Sequence, residues 1–437
     1  MKKLLLWLLL FTFVFTPEVK AVQDSITISI DELFSLADSR SKSVKAYEIA
    51  AAQEEEEIRV AKNMRLPEID LSLSASYLGN IWLADRNFKN GRNEDMPHLG
   101  NNFAIEASQV IYAGGAIQNS IEASKLKHQL SLQDAERNRI DVRFLAAGYY
   151  LELARLANEA EVYKKNIEQT EKVVKEITAR KNEGLALKND ITRYELMLQS
   201  LQLALTQTQN RSAVVNNKLT TLVDLPYTTV IIPDARILEV MPQVAGEEYW
   251  QESANISSPI LKMAETGVKL SEKNEKVVRS EMIPSIALFA ADKLDGPITI
   301  EVPPIDKNLN YWYVGIGIKY NLSSAYKTNK KRSIASLATT KARWEEEIAK
   351  DNLESAIKEA YIEFEEAFTI YATQVKSLQL ATENYSVINE RYSNGLVLIT
   401  EMLDASNQKL DAELEVANAK INILFKYYKL GKIAGSL

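Results

Sequence analysis

Between Pro67 and Tyr77 the chain alternates residue by residue: Ile69, Leu71, Leu73, Ala75 and Tyr77 are apolar, while Glu68, Asp70, Ser72, Ser74 and Ser76 are polar. A period of two over about ten residues predicts a strand which, when tilted, is long enough to cross a membrane. A second candidate strand, Phe103 to Tyr112, follows a polar loop rich in Gly and Asn from Gly79 to Asn102. The pattern returns in the second half. Ile286, Leu288 and Ala290 alternate with smaller or polar neighbours, and Trp312, Val314, Ile316, Ile318 and Tyr320 alternate with Tyr311, Tyr313, Gly315, Gly317 and Lys319. Aromatics at strand ends suit a membrane–water boundary, although they favour strands in general. Taken alone, the first pair reads equally well as a membrane hairpin or as the half-buried hairpin of a soluble domain.

Between the hairpins the period changes to that of helix. Asp31 is placed to cap a helix running to about Arg65, which Leu66-Pro67 ends, because the residue before a proline is pushed out of helical conformation. From Ala116 to Arg180 there is no Pro and Gly148 is the only Gly, which predicts one helix about 100 Å long. The chain then returns through Ile191, Tyr194, Leu198, Leu201, Leu205, Thr208, Ser212, Val215, Leu219 and Leu222, spaced alternately by three and four. That seam predicts an antiparallel coiled-coil hairpin. In the second half a helix from Pro259 to Arg279 ends before Ile283-Pro284, and a long helix covers Lys330 to Tyr392. The last helix carries a seam of Leu403, Asn407, Leu410, Leu414, Ala417, Ile421, Leu424 and Tyr428.

Two turns punctuate these helices in the same way. Arg180, Gly184 and Asp190 have the spacing of Arg391, Gly395 and Glu401: a Gly four residues after the Arg, a short apolar run, and an acid six residues after the Gly. The two copies lie 211 positions apart, which predicts a duplication. The first repeat covers residues 22–225, with strands at about 67–78 and 102–112 and a helical hairpin over 116–223 whose tip is Gly184. Gly114-Gly115 marks its strand-to-helix turn. Residues 226–255, with Pro233 and Pro242, read as a connector of little regular structure. The second repeat covers 256–437, with strands at about 284–291 and 311–321 and a hairpin over 325–430 whose tip is Gly395.

Composition narrows the function. The 437 residues hold 15 Gly and 11 Pro, and a net charge of −7 with both signs interspersed leaves no basic footprint for nucleic acid. There is no Cys, hence no disulfide, thiolate metal site or lipid anchor on Cys. The two histidines, His98 and His128, read as solvated surface residues. No nucleophile-and-base motif, phosphate loop or metal-ligand spacing stands out, so neither an enzyme nor a cofactor is expected. Lys2-Lys3, the apolar run Leu4 to Phe15 and Val19-Lys20-Ala21 read as a signal peptide over residues 1–21. That run is too short to span a bilayer as a helix, so a membrane protein of this sequence must be a β-barrel. Four strands cannot close one, and the barrel must be shared by two or three chains.

The order helix, Pro-led strand hairpin, long helix, Gly turn and long helix, given twice, resembles the TolC family of outer-membrane efflux factors. The resemblance covers essentially the whole chain after residue 21. It rests most on Arg180, Gly184 and Asp190, on Tyr392, Gly395, Glu401 and Leu403-Asp404-Ala405, and on Ala113-Gly114-Gly115. It implies a mainly helical fold joined to a membrane β-barrel, with a homotrimer in the outer membrane of a Gram-negative bacterium and a helical tube through the periplasm. It further implies a passive duct of a tripartite efflux or type I secretion system, fed by an inner-membrane pump and its periplasmic adaptor. The family's tip constriction places Glu401, Asp404, Asp190 and Tyr392 at a periplasmic gate. Carboxylates beside a helix N-terminus are also what the helix dipole favours, and that plainer reading stands beside the gate. The family's latch arginine after the second turn is here Val397, and Ser323-Ser324 stands in place of a second Gly pair. A soluble periplasmic coiled-coil adaptor or scaffold shares the signal, the heptads and the Gly tips, and is the rival reading.

Overall fold

The computed structural model describes residues 25–239, 241–242 and 245–437, so the expected leader lies outside the described residues. The chain divides into two compact units, each assembled from three stretches of sequence. One takes in residues up to 41, 145–242 and 367–425; the other takes in 42–144, 243–366 and 426–437.

In the first unit, strand β1 (Ser25–Ile28) leads into helix α1 (Ile30–Arg40). The cap of α1 is Ser29, two residues before the Asp31 expected. Its hydroxyl accepts from the Glu32 amide while the Glu32 carboxylate accepts from the Ser29 amide, a reciprocal box that satisfies two otherwise orphaned donors. The helix expected to run on to Arg65 stops at Ser41, whose ψ of 127° is extended, and α2 (Lys42–Asn63) begins afresh. Helix α4 (Lys188–Leu222) belongs to the same unit and buries Tyr194, Leu201, Thr208 and Val215, a residue every seven. Thr208 thus holds its place in the seam although its hydroxyl weakens the apolar pattern. The connector is more ordered than expected: β6 (Val230–Pro233) pairs in parallel with β1, followed by a 3₁₀ turn over Ala235–Leu238. The fully buried Tyr150 ties this patch together, its hydroxyl donating to the Ile28 carbonyl at 2.7 Å and accepting from the Asp234 amide at 2.8 Å.

The second unit holds the sheet. Strands β2 (Glu68–Tyr77), β5 (Leu99–Ala113), β7 (Ser285–Gly296) and β8 (Leu309–Lys319) lie in the order β2-β5-β7-β8, every neighbouring pair antiparallel. The loop expected over 79–102 is partly structured, because β3 (Ile81–Leu83) and β4 (Arg92–Glu94) form a small hairpin and β5 starts at Leu99. Register fixes the two faces. Asp70 stands opposite Glu106, and Lys293 stands opposite both Ala104 and Tyr311, so these residues share a face on which Lys293 bonds Glu106 at 2.5 Å. The other face carries Ile69, Leu71 and Leu73 on β2 and Trp312, Val314, Ile316 and Ile318 on β8, all between 66% and 78% exposed. On the polar face the Phe289 ring covers Gly315, where an added Cβ would come within 2.6 Å of it.

Helices α5 (Glu247–Ser257) and α6 (Pro259–Ser280) repeat the α1–α2 plan with the same lengths of 11 and 22 residues, broken at Ser258 with ψ 119°. The strand-to-helix turns differ in chemistry. After β5, Gly114 and Gly115 take φ of 60° and 85°, and a Cβ on Gly114 would meet Ile283 at 2.7 Å, so the Gly is required on both counts. After β8, the Asn321 side chain accepts from the Ser323 amide at 3.1 Å and from its hydroxyl at 2.7 Å, an Asx turn doing the same work. The histidine expectation holds for His98, which is exposed, stacked on Tyr77 and bonded to the Leu78 carbonyl. It fails for His128, which is half-buried and bonded through Nδ1 to the Ala51 carbonyl at 2.9 Å.

Three helices have residues in both units: α3 (Ala116–Asn182), α7 (Ser324–Ser393) and α8 (Ile399–Ala434). In α8 the expected seam is only half the story. Asn407 is exposed, and besides Leu410, Ile421 and Leu424 a second stripe of Met402, Ala405, Ala412, Ala419 and Ile423 is buried. The alanines of that stripe carry too little apolar area to register in a hydrophobic pattern, yet their small size allows close helix approach.

Candidate functional site at the hairpin tips

The two Gly turns are both complete Schellman motifs. At the first, Gly184 has φ 80°, its amide donates to the Lys181 carbonyl, and the Leu185 amide reaches back to the Arg180 carbonyl at 2.8 Å. At the second, Gly395 has φ 70°, its amide donates to the Tyr392 carbonyl, and the Leu396 amide reaches the Arg391 carbonyl at 2.8 Å. The spacing of four from Arg to Gly is therefore the length of the cap itself, from its third residue before the end to the left-handed residue that closes it.

Beneath the turns the two hairpins share a core of Ile177, Tyr194, Ile399 and Met402, with Ile191, Tyr385, Tyr392 and Leu403 packed around it. Tyr392 is half-buried here, with the Arg180 guanidinium 6.0 Å from its ring centre. Burial first, and then the nearby Asp190 carboxylate, push the Tyr392 phenol above its ordinary pKa, against the opposing pull of Arg180. Asp190 itself sits in the first turn of α4, where its carboxylate accepts from the Leu187 amide at 3.0 Å. Glu401 occupies the matching first turn of α8 and is exposed; Asp404, also exposed, accepts from the Gln408 side chain at 2.8 Å. The structure thus brings Asp190 and Tyr392 together and leaves Glu401 and Asp404 open to solvent. Val397 is half-buried beside them and has no polar atom with which to form the family's latch.

The short apolar runs after each Gly turn out to be the most unusual surface of the tips. Leu185, Leu187, Leu396 and Leu398 are 75%, 69%, 67% and 70% exposed. In the sequence these runs stand out only as short apolar segments after each Gly. Their signal was present, since a leucine on either side of a residue at a helix-to-helix turn has no core of its own to enter.

No family model matches the chain. It is 22% identical over 343 residues to the outer membrane efflux protein BepC of Brucella suis biovar 1 (strain 1330), covering 76% of this chain and 72% of that protein. Among solved structures it is similar to CusC, with a TM-score of 0.79 at 15% identity over 93% of this chain and 92% of that one. It is likewise similar to the outer-membrane channel OprN, at 0.77 and 13% over 93% and 90%. VceC of Vibrio cholerae gives 0.76 and 14% over 93% and 96%. The fold is that of the outer-membrane efflux channels, and the resemblance to the TolC family read from the repeated turns is borne out.

Proposed function

We propose that the chain is the outer-membrane channel of a tripartite efflux or type I secretion system. It is a passive duct without catalytic chemistry, built from three copies, and it receives substrate from an inner-membrane pump through a periplasmic adaptor. The observation that carries this reading is the sheet. One face exposes Ile69, Leu71, Leu73, Trp312, Val314, Ile316 and Ile318, while Asp70, Glu106, Lys293 and Tyr311 lie on the other. Both outer strands, β2 and β8, end the sheet with an open edge. An apolar outer face suits lipid, a polar inner face suits water, and open edges are not tolerated in a bilayer, so copies must join edge to edge. A soluble coiled-coil adaptor has no use for such a face. The protein is expected to fractionate with outer membranes and to migrate on a denaturing gel as a heat-modifiable oligomer. A monomer recovered from the periplasmic extract would overturn the reading.

Two finer assignments go with it. The leucine quartet at the tips is the docking surface for the adaptor, because four leucines this exposed gain by leaving water against an apolar partner. Leu187→Asp combined with Leu398→Asp should abolish adaptor capture while the oligomer persists; retained capture places docking elsewhere. Glu401 and Asp404 line the entrance, where three copies set six carboxylates about one axis, attracting cations as acidic rings do.

A further inference from the structure

Within the unit that holds the sheet, a cavity of about 450 Å³ opens where α3, the α5–α6 break, α7 and the end of α8 meet. Its wall is apolar, made chiefly by Ile140, Pro259, Ile260, Ile348, Leu353 and Ile433. The volume falls in the range of sites that hold small organic molecules, roughly 300–1,000 Å³. The charged groups at its rim are already matched: Lys432 to Asp141 at 2.8 Å, Glu345 to Lys341 at 3.1 Å, and Arg137 to Asp134 at 2.6 Å. A charged guest would have to break one of these pairs or leave its own charge unanswered in apolar surroundings.

One buried polar group in the wall is unmatched. Ser258 is 1% exposed and its hydroxyl has no hydrogen-bond partner among the described residues. Its position makes this unusual. Ser258 stands at the N-cap of α6, where a serine oxygen ordinarily accepts from the second or third helical amide, yet no such bond forms. A buried hydroxyl without a partner is costly, and a guest that carries a hydroxyl of its own offsets that cost.

We propose that this cavity is a binding site for a small neutral alcohol with an apolar body, its hydrocarbon part against the isoleucine wall and its hydroxyl paired with Ser258. The site is independent of the pore reading, since it needs only the fold around Ser258. The test titrates 1-naphthol into the purified full-length protein, with the heat of titration into protein-free buffer subtracted, and follows binding calorimetrically. Saturable binding of one molecule per chain is expected. Ser258→Ala should weaken it about fivefold, the worth of one neutral hydrogen bond. Ile348→Trp, at a position 55% exposed and therefore tolerant of a larger side chain, should fill the cavity and remove binding with the melting temperature retained. The anionic 1-naphthoate should bind at least tenfold more weakly than 1-naphthol. Uptake that does not saturate, uptake unchanged by either substitution, or equal affinity for the two probes would each overturn the proposal.

Discussion

Arg180, four residues before the turn of one hairpin, donates through Nη2 to the main-chain carbonyl of Ser393 at the end of the other hairpin's long helix, at 3.0 Å. The bond places a cation at a helix C-terminus, where the dipole favours it. It also crosses between the two tips, from the first hairpin to the second.

Removing that tie should loosen the entrance without unfolding it. Arg180→Ala is expected to raise the ratio of open to closed channel by roughly two- to thirteenfold, the effect of about 0.5–1.5 kcal/mol. Single-channel recording measures it, and the melting temperature should move little because the bond is exposed.

The acidic pair makes a separate prediction. Glu401→Ala with Asp404→Ala should weaken block of the channel by polyvalent cations in a planar bilayer. Unchanged block would return both residues to a dipole-stabilising role at the start of α8.

Tyr150 is the most consequential single hydroxyl in its unit. Tyr150→Phe leaves the Ile28 carbonyl and the Asp234 amide without the partner they share, and the loss should be about 2 kcal/mol or more. Urea denaturation compared with wild type measures this, and the effect should be absent for the exposed Tyr227→Phe.

Glu152 carries a pH dependence. Its hydrogen bonds from Arg155, with Arg211 at 3.1 Å, hold its carboxyl below the ordinary value. Because the folded-state pKa is the lower one, the stabilisation is full above the unfolded value of about 4.3 and is lost as pH falls through the folded value. Glu152→Gln should therefore lower the urea midpoint near neutrality, and the gap from wild type should close as pH falls below the unfolded value of about 4.3.

Substituting the turn glycines tests the repeat. Gly184→Ala and Gly395→Ala each force a left-handed residue to carry a Cβ, which should cost about 1–2 kcal/mol although nothing crowds either site. Similar losses at both positions, read from thermal melts, would mark the two tips as energetic equivalents.

What could be read in advance follows the strength of each local signal. The four long strands showed themselves because one face is largely apolar, and the tips because a left-handed Gly has few substitutes. The break at Ser41 was hidden, since a serine inside a helical run gives no warning that its ψ will turn extended; only its counterpart at Ser258, followed by Pro259, is marked. The second stripe of α8 was hidden by alanine, and β6 by the prolines around it. At the tips, Asp190 and Glu401 were found by spacing, whereas the bond from Arg180 to Ser393 depends on a main-chain oxygen that no sequence pattern displays.

Phe289 and Gly315 bear on how wide a passage such a sheet can enclose. With no Cβ at Gly315, the phenyl ring lies flat along the neighbouring strand. An alanine there would tip the ring away from the wall and toward the axis. In the trimer proposed above, three rings would then crowd the bore, and the missing methyl group on β8 would be what keeps it clear.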